Sequence, residues 1–414
     1  MRIRIHRGAH EIGGNCVEIE SQGYSILLDL GLPLTADDAV PSLLPDIAGL
    51  TDGSNPHLLG IILSHTHGDH YGLTGLVHAS IPIFMGAQAQ TILLASRHFV
   101  PQGPLPQTIG RYRNQTPFDL GPFRITPYLA DHSAFDAYSL LVEAHGKRAF
   151  YSGDIRAHGR KARLFENLVE HPPQAIDVLL LEGTTLSRPG MASAPETEQE
   201  LEQRILGMIN GSSGLVLASF SPQNIDRFVT IFRATKRAGR TFIADVYLAH
   251  LLDQLALPSL PKPSNGGLRV YLPDSQKRRI IADQLFDVVS RYRSARIYSE
   301  EIVASPGKWV MLFRDSMTRD IDRLPPRITT VLIYSMWPGY LDRDRSQLAS
   351  WCQKQAVALE IAHTSGHAEP DSLARLAEAL NPRMVVPIHT EAPQVMGSLI
   401  PNVRALRDGD WLDI

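Results

Sequence analysis

Six consecutive residues, His65-Thr66-His67-Gly68-Asp69-His70, bring together four side chains able to bind a metal, directly after the apolar stretch Leu58 to Leu63. Imidazole and carboxylate suit zinc or a similar divalent ion. In extended chain, alternate residues project to one side, so His65 and His67 can share one ion. Asp69 and His70 then serve a neighbouring ion, with Gly68 permitting the tight turn between the pairs. Buried titratable groups are costly unless paired or metal-bound, so packing alone does not account for this density.

Further acids and histidines stand where strands are expected to end. Cys16 to Glu20 and Tyr24 to Leu28 form a hairpin pattern around Ser21-Gln22-Gly23, and Asp29 closes its second strand. The strand pattern Phe123 to Leu129 leads to Asp131-His132-Ser133, Ala149 to Tyr151 to Ser152-Gly153-Asp154, and Val178 to Leu181 to Glu182. A helix is expected from Gly72 to His78. Near the other end, Ala356 to Ile361 leads to His363-Thr364-Ser365-Gly366-His367, and Met384 to Ile388 to His389-Thr390-Glu391. Rigid strands that deliver polar groups at their ends are a common way to build an α/β site.

Between these halves the pattern changes. Helices are expected over Glu196 to Ile209, Asn224 to Ala238, Val246 to Ala256 and Gln276 to Tyr292, alternating with apolar strands such as Gly214 to Phe220 and Thr329 to Tyr334. That alternation implies a parallel sheet covered on both faces. At 414 residues the chain exceeds one ordinary core. The expected division is 1–189, an inserted α/β domain at 190–340, and 341–414 completing the first domain.

Composition limits the function classes. With 43% hydrophobic and 20% charged residues, the chain is that of a soluble globular protein. No apolar run approaches the ~20 residues of a membrane helix, and the alternating N-terminus lacks a signal-peptide core. Two cysteines, Cys16 and Cys352, argue against a disulfide framework and fit a reducing compartment, so a cytoplasmic location and no membrane partner are expected. The net charge of −3 advertises no nucleic-acid binding and excludes none, because positive charge can be confined to a groove or to metal ions.

In order, Asp29 after a strand, the His-x-His-x-Asp-His run, His132 and Asp154 in Ser-Gly-Asp resemble the motifs of the metallo-β-lactamase superfamily, over nearly the whole chain. The resemblance implies an αββα sandwich with a dinuclear centre on one edge. It places His65, His67 and His132 on one metal and Asp69, His70 and His389 on the other, with Asp154 bridging and Asp29 organising the site. The long insertion before His389, with Glu182 and His367, resembles the β-CASP subgroup of nucleases. Glu182 would then orient ligands, and His367 would bind the scissile phosphate or protonate the leaving oxygen. His at position 367 favours RNA over DNA within that subgroup. Ala9-His-Glu-Ile-Gly-Gly-Asn, His-Thr-Ser-Gly-His and Pro-Ile-His-Thr-Glu are most similar to ribonuclease J proteins.

The resemblance implies a metal-dependent ribonuclease acting on single-stranded RNA, endonucleolytic or 5′-to-3′ exonucleolytic, with two divalent ions, zinc or manganese. Catalysis would fall to Asp69, His367, Glu182 and Asp29. Substrate contacts would come from His363, Ser365 and His367, and from Ser219, Ser221 and Arg227 at a strand-to-helix junction, where amides and a guanidinium could hold phosphate. A plain helix start capped by Ser221 competes with that last reading. A DNA nuclease, another phosphodiesterase and an inactive RNA-binding scaffold remain alternatives, and a homodimer stays open. Two features depart from the family pattern: Thr390 replaces a glycine beside a ligand, and about 25 residues follow His389 where relatives usually carry a further domain.

Overall fold

The computed structural model describes residues 1–100, 109–188, 195–263, 266–341 and 346–414. They fall into two compact units. The first comprises Met1–Gln90, Gln102–Pro195 and Gly366–Ile414, and the second Thr91–Pro101 and Glu196–Ser365.

The first unit holds two sheets. One has seven strands in the order Trp411–Asp413, Arg2–Arg7, Cys16–Ser21, Tyr24–Leu28, Leu58–Ile62, Ile83–Gly86 and Ile109–Tyr112. The other has six, in the order Met384–Ile388, Val178–Glu182, Lys147–Tyr151, Tyr138–Ala144, Phe123–Leu129 and Phe118–Leu120. Successive strand residues point to opposite faces. Leu140, Val142, Tyr151 and Leu180 therefore pack against Ile19, Ile26, Leu28 and Ile62 of the facing sheet. Their neighbours Leu141, Phe150, Leu179 and Leu181 meet Phe165 of helix Ala162–Glu170, Leu373 and Leu376 of helix Pro370–Leu380, and Met396 of helix Pro393–Leu399. Two sheets with helices outside are the αββα sandwich expected.

The second unit is a six-stranded parallel sheet, ordered Leu268–Tyr271, Thr241–Asp245, Trp309–Leu312, Leu215–Ser219, Thr329–Tyr334 and Ala358–Ile361. The insertion thus exists, with different limits from 190–340. Its expected start lies outside the described residues. Its end moves to Ser365 because Ala358–Ile361 pairs with Thr329–Tyr334. Residues near 91–100 join it because the Tyr247 hydroxyl donates to Ser96 Oγ (2.8 Å) and Phe99 stacks on Tyr247. Two helices also differ from expectation. Gly72 to His78 is a short helix at Gly68–Tyr71 followed by a 3-10 turn at Thr74–Leu76. Gln276 to Tyr292 is broken into Asp274–Ala282 and Phe286–Ser290, with Gln284 between them in the left-handed region (φ 55°).

Candidate metal centre

All seven predicted metal ligands belong to the first unit and converge in two groups. His65, His67, His132 and Asp154 form one, and Asp69, His70 and His389 the other. His65 and His67 follow the strand Leu58–Ile62, and Asp69 and His70 sit in the short helix Gly68–Tyr71. His132, Asp154 and His389 follow the strands Phe123–Leu129, Lys147–Tyr151 and Met384–Ile388.

Backbone contacts hold the ligand loop against the residues after Asp29. Leu30 N donates to His70 O (2.8 Å), Leu32 N to Gly68 O (2.9 Å) and Asn15 N to Asp69 O (3.1 Å). Gly31 makes this approach feasible, since a Cβ there would lie 1.7 Å from the Asp69 carbonyl oxygen. These bonds, rather than helix propensity, start the short helix inside the ligand run.

Asp154 stands at the junction of the groups. Its Oδ2 lies 3.6 Å from His65 Nε2, 3.7 Å from His132 Nε2, 3.2 Å from His70 Nε2 and 4.0 Å from His389 Nε2. His132 Nε2 is 3.1 Å from His67 Nδ1. Both Asp154 oxygens and the Nε2 atoms of His65, His70 and His389 are buried without a hydrogen-bond partner among the described residues. Each such atom costs about 2–7 kcal/mol when desolvated and unpaired. Concentrated at one point and aimed at one another, they fit divalent cations.

Three other residues fix which ring nitrogen faces inward. Asp29 is fully buried and accepts from Ser64 N (2.6 Å), Ser64 Oγ (2.7 Å), Tyr151 OH (2.6 Å) and His70 Nδ1 (2.7 Å). With its one proton given to Asp29 Oδ2, Ser64 Oγ is left to accept from His65 Nδ1 (3.0 Å). The Gly366 carbonyl accepts from His132 Nδ1 (2.6 Å). Each contact leaves Nε2 as the ligating atom, the orienting role of hydrogen bonds around metal-binding imidazoles. Gly13 N approaches His389 Nδ1 at 3.4 Å, too long to fix that ring's tautomer. Asp29 and His389 both hold left-handed backbone (φ 60° and 51°), strain typical of functional positions. Ser64, Tyr151 and Gly366 escaped the sequence reading, because a serine, a tyrosine and a carbonyl carry no metal-ligand signature.

Electrostatics agree with the geometry. Burial, then the charge of His70, hold His65 well below the usual histidine range, and burial likewise lowers His67, His132 and His389. His70 goes the other way. Against the cost of burial, Asp154 and Asp29 push it well above that range, which marks its Nε2 as a place that favours positive charge. Burial opposes the Asp154 charge, yet His389, His70 and His367 hold the carboxyl well below its normal range.

Glu182 and His367 join Asp154 in a third group. Ile155 N (2.9 Å) and Thr184 Oγ1 (2.7 Å) position the Glu182 carboxylate, which accepts from His367 Nδ1 at 3.1 Å. His367 Nδ1 also lies 3.7 Å from Asp154 Oδ2. Burial disfavours charge on His367, but Glu182 and Asp154 raise its pKa.

The remaining candidates lie in the second unit. Arg227 is 1% exposed, paired with Glu198 (3.0 Å), and donates to Ser335 O (2.8 Å), Ser335 Oγ (2.8 Å) and Thr364 O (3.2 Å). Its guanidinium is occupied internally, which corrects the expectation that it binds phosphate. Helix Ile225–Arg237 is capped by the Asn224 side chain, which accepts from Arg227 N, and not by Ser221. Ser219 is buried at a strand end, Ser221 is exposed, and His363 Nδ1 lies 3.3 Å from an Arg227 nitrogen. Ser365 closes the unit.

Residues 37–208, which include six of the seven candidate ligands, match the model of a β-lactamase superfamily domain. The chain's relatives include ribonuclease J proteins. Those of Corynebacterium glutamicum and Mycobacterium tuberculosis are each 22% identical to it over 94% of the chain. The chain spans 54% of the first relative and 68% of the second. That of Sinorhizobium meliloti is 22% identical over 98% of the chain and 72% of its own length. A solved structure of a protein of unknown function from Enterococcus faecalis V583 shares the fold, with a TM-score of 0.81, 19% identity and 99% of each chain covered.

Proposed function

We propose that this chain hydrolyses phosphodiester bonds of single-stranded RNA at a dinuclear metal centre. The observation that carries the proposal is Asp154 Oδ2, one carboxylate oxygen within 4.0 Å of ring nitrogens from both ligand groups. Its ribonuclease J relatives support RNA as the substrate. Two divalent ions, zinc or manganese, supply hydroxide near neutral pH and offset charge on the phosphoryl oxygens when bound there.

The protein's own groups do the rest. Asp29 and Gly366 hold His70 and His132 with Nε2 inward. The Asp69 side chain is 16% exposed, against 1% for Asp154, which supports Asp69 as the group that takes a proton from the attacking water. Glu182 anchors His367 through Nδ1, and with Asp154 it raises the pKa of the ring, which supports His367 as the donor of a proton to the leaving oxygen.

Single-stranded RNA labelled at either end, incubated with the protein and zinc or manganese, tests this beside matched DNA and cyclic nucleotides. Cleavage of RNA is expected, with loss in Asp69→Ala and His70→Ala. Mononucleotides against internal fragments report exonucleolytic or endonucleolytic action. Undiminished cleavage in both variants, or hydrolysis of DNA or cyclic nucleotides alone, refutes the proposal.

A further inference from the structure

The second unit contains a cavity of about 450 Å³ that the proposed reaction does not use. One wall is a face of helix Ala87–Ser96, where Thr91, Leu94 and Ala95 share a side at helical spacing. The turn beyond that helix adds Arg97 and His98. The opposite wall is helix Val246–Leu255, from which His250 and Gln254 project four residues apart, and Arg291 enters from the end of helix Phe286–Ser290.

Three observations point to an anionic ligand. Among the described residues no carboxylate lines the cavity, whereas two guanidinium groups and two imidazoles do. Arg97 and Arg291 are exposed and form no ion pair among the described residues; Arg97 Nε donates to His98 Nε2 (3.2 Å), which leaves its two terminal nitrogens and the Arg291 fork available to a phosphate. His250 is 7% exposed, and its Nδ1 is buried without a hydrogen-bond partner among the described residues. The ring that carries this unmet atom forms part of the cavity wall. Charge and space together exceed what a lone phosphate needs, and Leu94 and Ala95 supply the apolar surface that a base or sugar would cover.

We propose that this cavity binds a phosphate monoester of nucleotide size, its phosphate held between Arg97 and Arg291 and its nucleoside against Leu94, Ala95 and His250. The site goes beyond the metal centre, shares none of its residues and does not depend on ribonuclease activity.

Isothermal calorimetry on the metal-loaded full chain tests it with AMP, adenosine and a 5′-phosphorylated oligoribonucleotide whose phosphorothioate linkages resist hydrolysis. AMP is expected to bind saturably with Kd below about 1 mM, and adenosine not at all. Arg97→Gln and Arg291→Gln should each weaken AMP at least about tenfold while leaving the melting temperature of the free protein unchanged, since both side chains are exposed. Binding of the oligonucleotide with the same dependence on both arginines assigns the monoester to an RNA end, and binding of AMP alone assigns it to a free nucleotide. Binding of adenosine as tight as AMP, absence of saturable binding by either phosphorylated probe, or wild-type affinity in both variants overturns the proposal. In the last case the two arginines serve only to complement helix C-termini.

Discussion

Replacing Asp29 with Asn tests the ordering of the metal centre without touching a ligand. The left-handed backbone at this position (φ 60°) suits Asn as well as Asp, so the change adds no backbone strain. In the native protein Oδ1 accepts from Ser64 N, and Oδ2 accepts from Ser64 Oγ, Tyr151 OH and His70 Nδ1. An amide that keeps its oxygen on Ser64 N presents NH2 to the other three donors. The two hydroxyls can rotate and accept instead, but His70 can accept only by moving its proton from Nδ1 to Nε2, the atom needed for the metal. Loss of such an orienting partner costs about 10- to 100-fold in metal affinity, or roughly 1.4–2.8 kcal/mol. Competition of metal-stripped protein with a chromophoric zinc chelator measures it, ion by ion. The expected result is one affinity lowered by that factor, for the ion held by Asp69, His70 and His389, with the other moved far less. Tyr151→Phe removes one donor and leaves the His70 contact, so both affinities should stay within about threefold of the native values. Equal native affinities in Asp29→Asn would refute the claim that Asp29 sets the His70 tautomer.

Arg227→Met leaves the buried Glu198 without its cation and should destabilise the protein by about 3–5 kcal/mol, read by denaturant or thermal unfolding. A loss under about 1 kcal/mol would return Arg227 to the pool of substrate contacts. Burial, reinforced by His98 and Arg291, pushes His250 down to about 4 from its usual 6.5, so the folded protein keeps it neutral where the unfolded chain protonates. That term is absent above pH 6.5 and erodes stability as pH falls from 6.5 toward 4. The difference in melting temperature between native protein and His250→Gln should therefore shift against the native protein between pH 7.5 and 5, and a constant difference would refute the assignment.

That the run at 65–70 would cluster with His132, Asp154 and His389 was legible because metal chemistry restricts both residue type and spacing, and strand ends suggested the positions of the last three and of Glu182. What surrounds them was not. Ser64 and Tyr151 matter only because the fold brings them to Asp29, 35 and 122 residues away in sequence. The short helix at Gly68–Tyr71 owes its start to bonds from Leu30 and Leu32, which no local pattern announces. Arg227 read as a phosphate contact because its partner Glu198, 29 residues earlier, is joined to it only by tertiary packing. The limits of the inserted unit were missed for a similar reason. Residues 91–100 belong to it through Tyr247, and 356–365 through one further parallel strand pairing.

The sheet position of Met384–Ile388, parallel to Val178–Glu182, has a consequence during synthesis. By the time Asp154 has been made, all four members of the first ligand group are present in the nascent chain. His389 comes 389 − 154 = 235 residues later. At about 5–20 residues per second, a ribosome needs roughly 10–50 s to reach it. A growing polypeptide therefore carries six of the seven candidate ligands while still attached to its own messenger, and gains the last, His389, only as translation of that RNA nears residue 389.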